Sequence, residues 1–139
     1  MDYLEVSAHM KVRPGCLDSF KKQAAEMIRI TREKDTKTLR YDWFLSTDGT
    51  ECEVREAYIG PEGLVEHNTN ILEARTKLFR EYADGHFMTF YGEPSQLLLN
   101  LLKSHSVGHT WFHFLQGLKE SPEKSLGTAA TGQDVKQPA

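Results

Sequence analysis

The chain has 139 residues, enough for one domain with a substantial core and a terminal extension, and too few for a second full domain. Its 17 basic and 20 acidic side chains leave a net charge of -3, which gives no electrostatic footprint for nucleic acid or for an anionic membrane surface. Charged residues at 27% and hydrophobic ones at 39% exclude a disordered or membrane-embedded chain and leave the ordinary soluble globular class.

Residues 3–13 alternate cleanly, with Leu4, Val6, Ala8, Met10 and Val12 on one side and Glu5, Ser7, His9 and Lys11 on the other, which predicts a half-buried strand. The acids in this opening stretch are unlike the basic and apolar regions of a signal peptide, so the expected location is the cytoplasm. Pro14-Gly15 breaks the strand. Leu17, Phe20, Ala24, Met27 and Ile28 then recur with helical spacing opposite Lys21, Lys22, Glu26 and Arg29, predicting a helix over 16–34.

Residues 38–47 and 50–59 both alternate and are rich in aromatic and β-branched side chains. Asp48-Gly49 between them is the strongest short-range hairpin signal. A two-residue turn sets Leu45 opposite Cys52, Trp43 opposite Val54, Asp42 opposite Arg55 and Tyr41 opposite Glu56, a register that pairs opposite charges and an aromatic with a β-branched residue. One face then carries Leu39, Tyr41, Trp43, Leu45, Cys52, Val54, Glu56 and Tyr58: a core face with one acid in it. An ionised carboxylate there requires a partner, a raised pKa or a water-filled pocket. Glu56 therefore either borders a functional pocket or is a structural acid satisfied by the Tyr41 hydroxyl or a backbone group.

Gly60-Pro61-Glu62 supplies the proline and the acid of a helix start. Leu64, His67, Asn68 and Ile71 share one helical face, and the pattern continues through Leu78, Phe79 and Tyr82 to Asp84-Gly85, with a break at 68–70. Residues 86–93 alternate and are aromatic, predicting a fourth strand. Pro94-Ser95 opens a short apolar helix over 96–103, whose leucines are too few to span a bilayer. Residues 105–118 mix aromatics with Gly108 and suit an extended arm packed on its own domain or on a partner. On a strand, His105, His109 and His113 stand about 13 Å apart in turn, too far to share an ion, so no metal site is expected. Residues 119–139 are polar and expected to be disordered. Cys16 and Cys52 lie too far apart for a metal knuckle or redox motif and are read as structural or incidental.

The β-α-β-β-α-β order over residues 1–104 predicts an α+β, ferredoxin-like domain, with one antiparallel sheet, helices on one face, and the short C-terminal helix and extended arm after the fourth strand. The opposite sheet face carries Phe44 beside charged residues, which suits partial burial against a second subunit.

Val12-Arg13-Pro14-Gly15 with Phe20, Leu39-Arg40-Tyr41, Val54-Arg55-Glu56, His67, the run at 90–95 and the aromatic tail at 112–118 together make the chain resemble the antibiotic biosynthesis monooxygenase family, in its quinol monooxygenase-like branch. The resemblance spans about residues 3–118. It implies a homodimeric α/β barrel whose two sheets face each other, and oxidation by dioxygen without flavin, haem or metal. In such chemistry a phenol or hydroquinone is deprotonated and its anion passes an electron to dioxygen. The protein then supplies a base, a hydrogen-bond partner for the oxyanion and an apolar cavity that excludes water. Glu56 and His67 match the family's acid and histidine positions, and Tyr58 stands where many members have tryptophan.

His67 is the expected base, since an imidazole with its ordinary pKa of about 6.5 accepts protons at neutral pH, with Glu56 orienting it. The competing reading is a buried histidine held by Glu56 or a backbone carbonyl. Tyr41, Trp43 and Tyr58 would line a flat aromatic pocket or merely fill the core. Asn68 would orient a ligand or cap a helix break. The expected function is cofactor-independent monooxygenation of a small phenol, hydroquinone or polyketide-like aromatic. The alternatives are a non-catalytic protein that binds a small aromatic metabolite, and a haem-binding or haem-degrading relative.

Overall fold

A computed structural model describes residues 3–119, so the segment expected to be disordered lies, beyond Lys119, outside the described residues. The elements in chain order are β1 (Tyr3–Val12), α1 (Leu17–Lys34), β2 (Thr38–Leu45), β3 (Glu51–Ile59), α2 (Gly60–Glu81), β4 (Ala83–Tyr91), α3 (Gln96–His105) and β5 (Gly108–Phe112). The sheet order is β2-β3-β1-β4-β5, with β1 at the centre. The first four strands pair antiparallel, as the ferredoxin-like order predicts. β5 pairs parallel with β4, so the complete sheet is mixed rather than antiparallel. The crossover explains the direction: α3 carries the chain back along the sheet, and β5 enters beside β4 pointing the same way.

Alternation decides which face is buried. Leu4, Val6, Ala8, Met10 and Val12 of β1 are all enclosed, and they pack with Cys52, Val54, Tyr58, Met88 and Phe90 of the neighbouring strands against Phe20, Met27, Leu64, Ile71, Leu78 and Leu98 of the helices. The hairpin has the expected register, Tyr41 opposite Glu56 and Trp43 opposite Val54. Its loop is longer than two residues: Ser46 and Glu51 close it, and the Asp48 carboxylate accepts hydrogen bonds from Ser46 and Thr50 to hold its shape.

Three boundaries differ from expectation. α2 runs unbroken through 68–70, because the side chains of Asn68 and Asn70 bond sideways to other elements rather than to their own backbone. β4 starts at Ala83 rather than His86, since Asp84-Gly85 marks a bulge opposite β1 instead of a helix end. Gly85 adopts φ 66 there, a conformation that only glycine takes without cost. α3 extends through His105, two residues beyond the expected helix and into the expected arm, and ends at Ser106 in the left-handed region. Among the described residues no helix is long and apolar enough to cross a membrane.

Candidate active site

Glu56 lies in β3 between Val54 and Tyr58 on the buried face and is 6% exposed. Its partner is the Tyr58 hydroxyl, which donates a hydrogen bond to Oε1, rather than Tyr41. Burial pushes the Glu56 carboxyl up. The positive influence of His67 and the bond from Tyr58 offset only part of that, so the carboxyl keeps its proton to a higher pH than a free one. Tyr58 is held well above its ordinary pKa, first by burial and then by the nearby Glu56 charge, so it stays a donor.

His67 enters from α2. Gly63, one turn earlier, makes its placement possible: a Cβ at residue 63 would stand 2.9 Å from Tyr58 Cβ and 3.1 Å from Lys37 Cβ, so only glycine lets the helix press this closely on β3. His67 Nδ1 donates to Asp35 Oδ2 at 2.7 Å, with the two side chains 3% and 1% exposed. Asp35 is the C-cap residue of α1 and also accepts from Thr38 Oγ1 at 2.6 Å and Asn70 Nδ2 at 2.8 Å. Burial alone would raise the Asp35 pKa, yet the bonds from His67, Thr38 and Asn70 hold it below the usual carboxylate range. Asp35 is therefore the anion that orients His67, a role expected of Glu56. An ionised Asp35 keeps the proton on Nδ1, and Nε2 makes no hydrogen bond among the described residues.

The Tyr41 ring meets the imidazole edge-on at 4.5 Å, Trp43 stands edge-on to Tyr41 at 5.8 Å, and Phe20 supports Trp43 at 5.9 Å. Tyr41 is raised well above its ordinary pKa by burial and then by Glu56, so its hydroxyl is neutral. The Trp43 indole N–H is buried and has no acceptor in hydrogen-bonding geometry. These groups enclose a narrow cavity of about 50 Å³ between sheet and helices, which Leu101, Leu102 and Val107 also line. The volume is that of a few water molecules. Tyr41, Trp43, Glu56, His67 and Asn68 all reach its wall. Tyr58 does not: it is 0% exposed and supports Glu56 from behind. Asn68 Nδ2 also meets His105 Nε2 at 3.3 Å, linking α2 to α3.

No protein-family model and no curated protein matches this chain. Solved structures do. MupZ from Pseudomonas fluorescens aligns with a TM-score of 0.73 at 22% identity, over 86% of this chain and 96% of MupZ. A candidate antibiotic biosynthesis monooxygenase from Nitrosomonas europaea aligns with a TM-score of 0.58 at 19% identity, over 66% of this chain and 89% of that one. SnoaB, a cofactor-independent oxygenase from Streptomyces nogalater, aligns with a TM-score of 0.58 at 12% identity, over 70% of this chain and 98% of its own. The fold is that of the antibiotic biosynthesis monooxygenases.

Within this fold, the cavity pairs a carboxylate-backed imidazole with a carboxyl whose pKa burial raises, an arrangement that can take up and return protons. Three wall residues were absent from the sequence expectation. Arg75 lies two helical turns after His67 on the same face, and its charge masked its place in the apolar pattern. His86 shares the parity of Met88 and Phe90, a readable signal. His105 reaches the wall only because α3 is two residues longer than predicted.

Proposed function

We propose that the cavity binds a small phenol or hydroquinone and that the protein oxidises it with dioxygen as a cofactor-independent monooxygenase. The observation that carries this reading is His67, backed by Asp35 and facing an apolar chamber that Glu56 and Tyr41 also line. His67 Nε2 takes the phenolic proton, and Asp35 stabilises the imidazolium that results. The phenolate passes one electron to dioxygen, the two radicals join at a ring carbon, and the proton from His67 completes a hydroperoxide. Loss of the hydrogen from that ring carbon to His67, with cleavage of the O–O bond, leaves a carbonyl. The departing hydroxide takes the Glu56 proton and leaves as water, and His67 reprotonates Glu56. Phenol plus dioxygen thus gives quinone plus water. The apolar lining strengthens each hydrogen bond to the developing oxyanion.

Oxygen uptake by purified protein with a panel of hydroquinones and phenols tests this reading, and turnover unchanged in His67→Ala removes the imidazole from the mechanism. A second reading rests on the raised pKa of Glu56 opposite a carboxylate-backed base: such a pair can also move protons on a substrate without oxygen. Product formation without oxygen uptake selects it, and saturable binding with neither selects a non-catalytic binder.

We infer a homodimer joined through the open sheet face. Phe44, Phe87, Tyr91 and Phe112 are 42–55% exposed there, around a half-buried cluster of Ser7, His9 and Glu53. The two free cysteines suit a reducing compartment such as the cytoplasm. Light scattering that gives the mass of a single chain overturns the dimer.

A further inference from the structure

Arg75 is a half-buried guanidinium with no anionic partner among the described residues. Among the described residues it makes no hydrogen bond and no ion pair, whereas Arg13, Arg29, Arg40 and Arg80 each contact a carboxylate. Its guanidinium carbon lies 5.6 Å from the centre of the Phe79 ring. It lines both the inner cavity and a polar outer cleft, and Phe79, His86, His105 and Val107 are common to the two, so this is the mouth of the chamber. His86 stacks on Phe79 at 4.3 Å, and burial, with the Arg75 charge, pushes it down to about 3. Burial and then Arg75 lower His105 as well. Both imidazoles are thus neutral hydrogen-bonding groups beside one fixed cation.

A partly desolvated cation is costly unless an anion reaches it. Glu56 acts on Arg75 electrostatically but makes no hydrogen bond or ion pair with it among the described residues. The inner wall holds one further unused donor, the buried Trp43 N–H. We propose that Arg75, flanked by His86 and His105, receives a carboxylate on the substrate and so sets its orientation, acid group at the mouth and reactive ring toward His67 and Trp43. Arg75 and His67 are eight residues apart on α2, about 12 Å along the axis, and long helical side chains lean back toward the N-terminus. The span between them suits one aromatic ring with a short spacer. This substrate class rests on the cavity being the binding site proposed above.

Isothermal titration of para-hydroxybenzoate, para-hydroxyphenylacetate and para-hydroxyphenylpropionate, each against its methyl ester, tests the proposal. At least one acid is expected to bind about 10- to 100-fold more tightly than its ester, the range for a charge-assisted hydrogen bond. Arg75→Gln should reduce that preference to within about twofold, and Arg75→Lys, a point charge without the bidentate fork, should keep part of it. Equal binding of acid and ester to the unaltered protein, which needs no folded variant, overturns the carboxylate proposal and leaves the cavity reading standing. A preference that survives in folded Arg75→Gln overturns the role of Arg75. Absence of binding by every acid and ester overturns the proposal together with the cavity reading.

Discussion

Asp35 and His67 meet at 2.7 Å with side chains 1% and 3% exposed, although 32 positions separate them in the chain. The contact joins the C-terminal end of α1 to the middle of α2, so the packing of two helices sets the tautomer of one imidazole. Asp35→Asn keeps the volume and replaces the anion with an amide that no longer stabilises an imidazolium. Oxygen uptake should fall about 10²- to 10⁴-fold, the range for a positioned acid or base. The folded-state pKa of Asp35 is lowered, so the stability it contributes is present above its ordinary value of about 3.9 and is lost as pH falls through the lowered one. The gap in unfolding free energy between wild type and Asp35→Asn should therefore be full at pH 7 and close in acid. A gap that stays constant in acid would show that Asp35 does not carry this linkage.

Glu56 has the opposite sign. Its folded-state pKa is raised, so its contribution is fully present below its ordinary value of about 4.3 and is lost as pH rises through the raised one. Glu56→Gln removes the ionisation and leaves an oxygen for the Tyr58 hydroxyl. The variant should match wild type near pH 4 and become relatively more stable toward pH 8, by about 1.4 kcal/mol for each unit by which the pKa is displaced. Urea midpoints at the two pH values give the comparison, and a difference independent of pH would show that the carboxyl titrates as if exposed.

The contrast between these carboxylates shows what the sequence reveals and what it hides. Strand parity put Glu56 on the core face, and helical periodicity put His67 opposite it, because both signals are local repeats. Asp35 carries no such signal. It follows α1 in a polar stretch, and its meaning depends on where Thr38 and Asn70 arrive in space. Extension of the aromatic arm was legible from its composition, but its direction was not, since parallel pairing of β5 follows from the crossover through α3. Gly85 was legible as a break in regular structure, and only the pairing of β1 with β4 shows that the break is a bulge.

Gly63 tests the closeness of α2 to the sheet. Gly63→Ala places a methyl 2.9 Å from Tyr58 Cβ and 3.1 Å from the Lys37 carbonyl oxygen, which backbone and strand must yield to accommodate. Overpacking of this kind costs about 1–3 kcal/mol. Thermal denaturation should show that loss, and the rate of oxygen uptake should fall with it because the shift passes to His67 one turn later. Full activity with lowered stability would mean that the imidazole has more freedom than the Asp35 contact implies.

Tyr58→Phe separates support of the acid from catalysis itself. The ring is completely buried and lies outside the cavity wall, so loss of the hydroxyl leaves the shape of the chamber intact while stripping Glu56 of its donor. An unpaired buried carboxyl costs about 1–3 kcal/mol, so the variant should be measurably less stable. The bond from Tyr58 lowers the Glu56 pKa against the larger effect of burial, so its loss must raise that pKa further. If neutral Glu56 donates the proton that completes water, the alkaline limb of the kcat profile should move to higher pH in Tyr58→Phe while the acid limb stays where it was. A shift to lower pH would assign that limb to another group, and an unmoved profile would leave Glu56 as a structural acid.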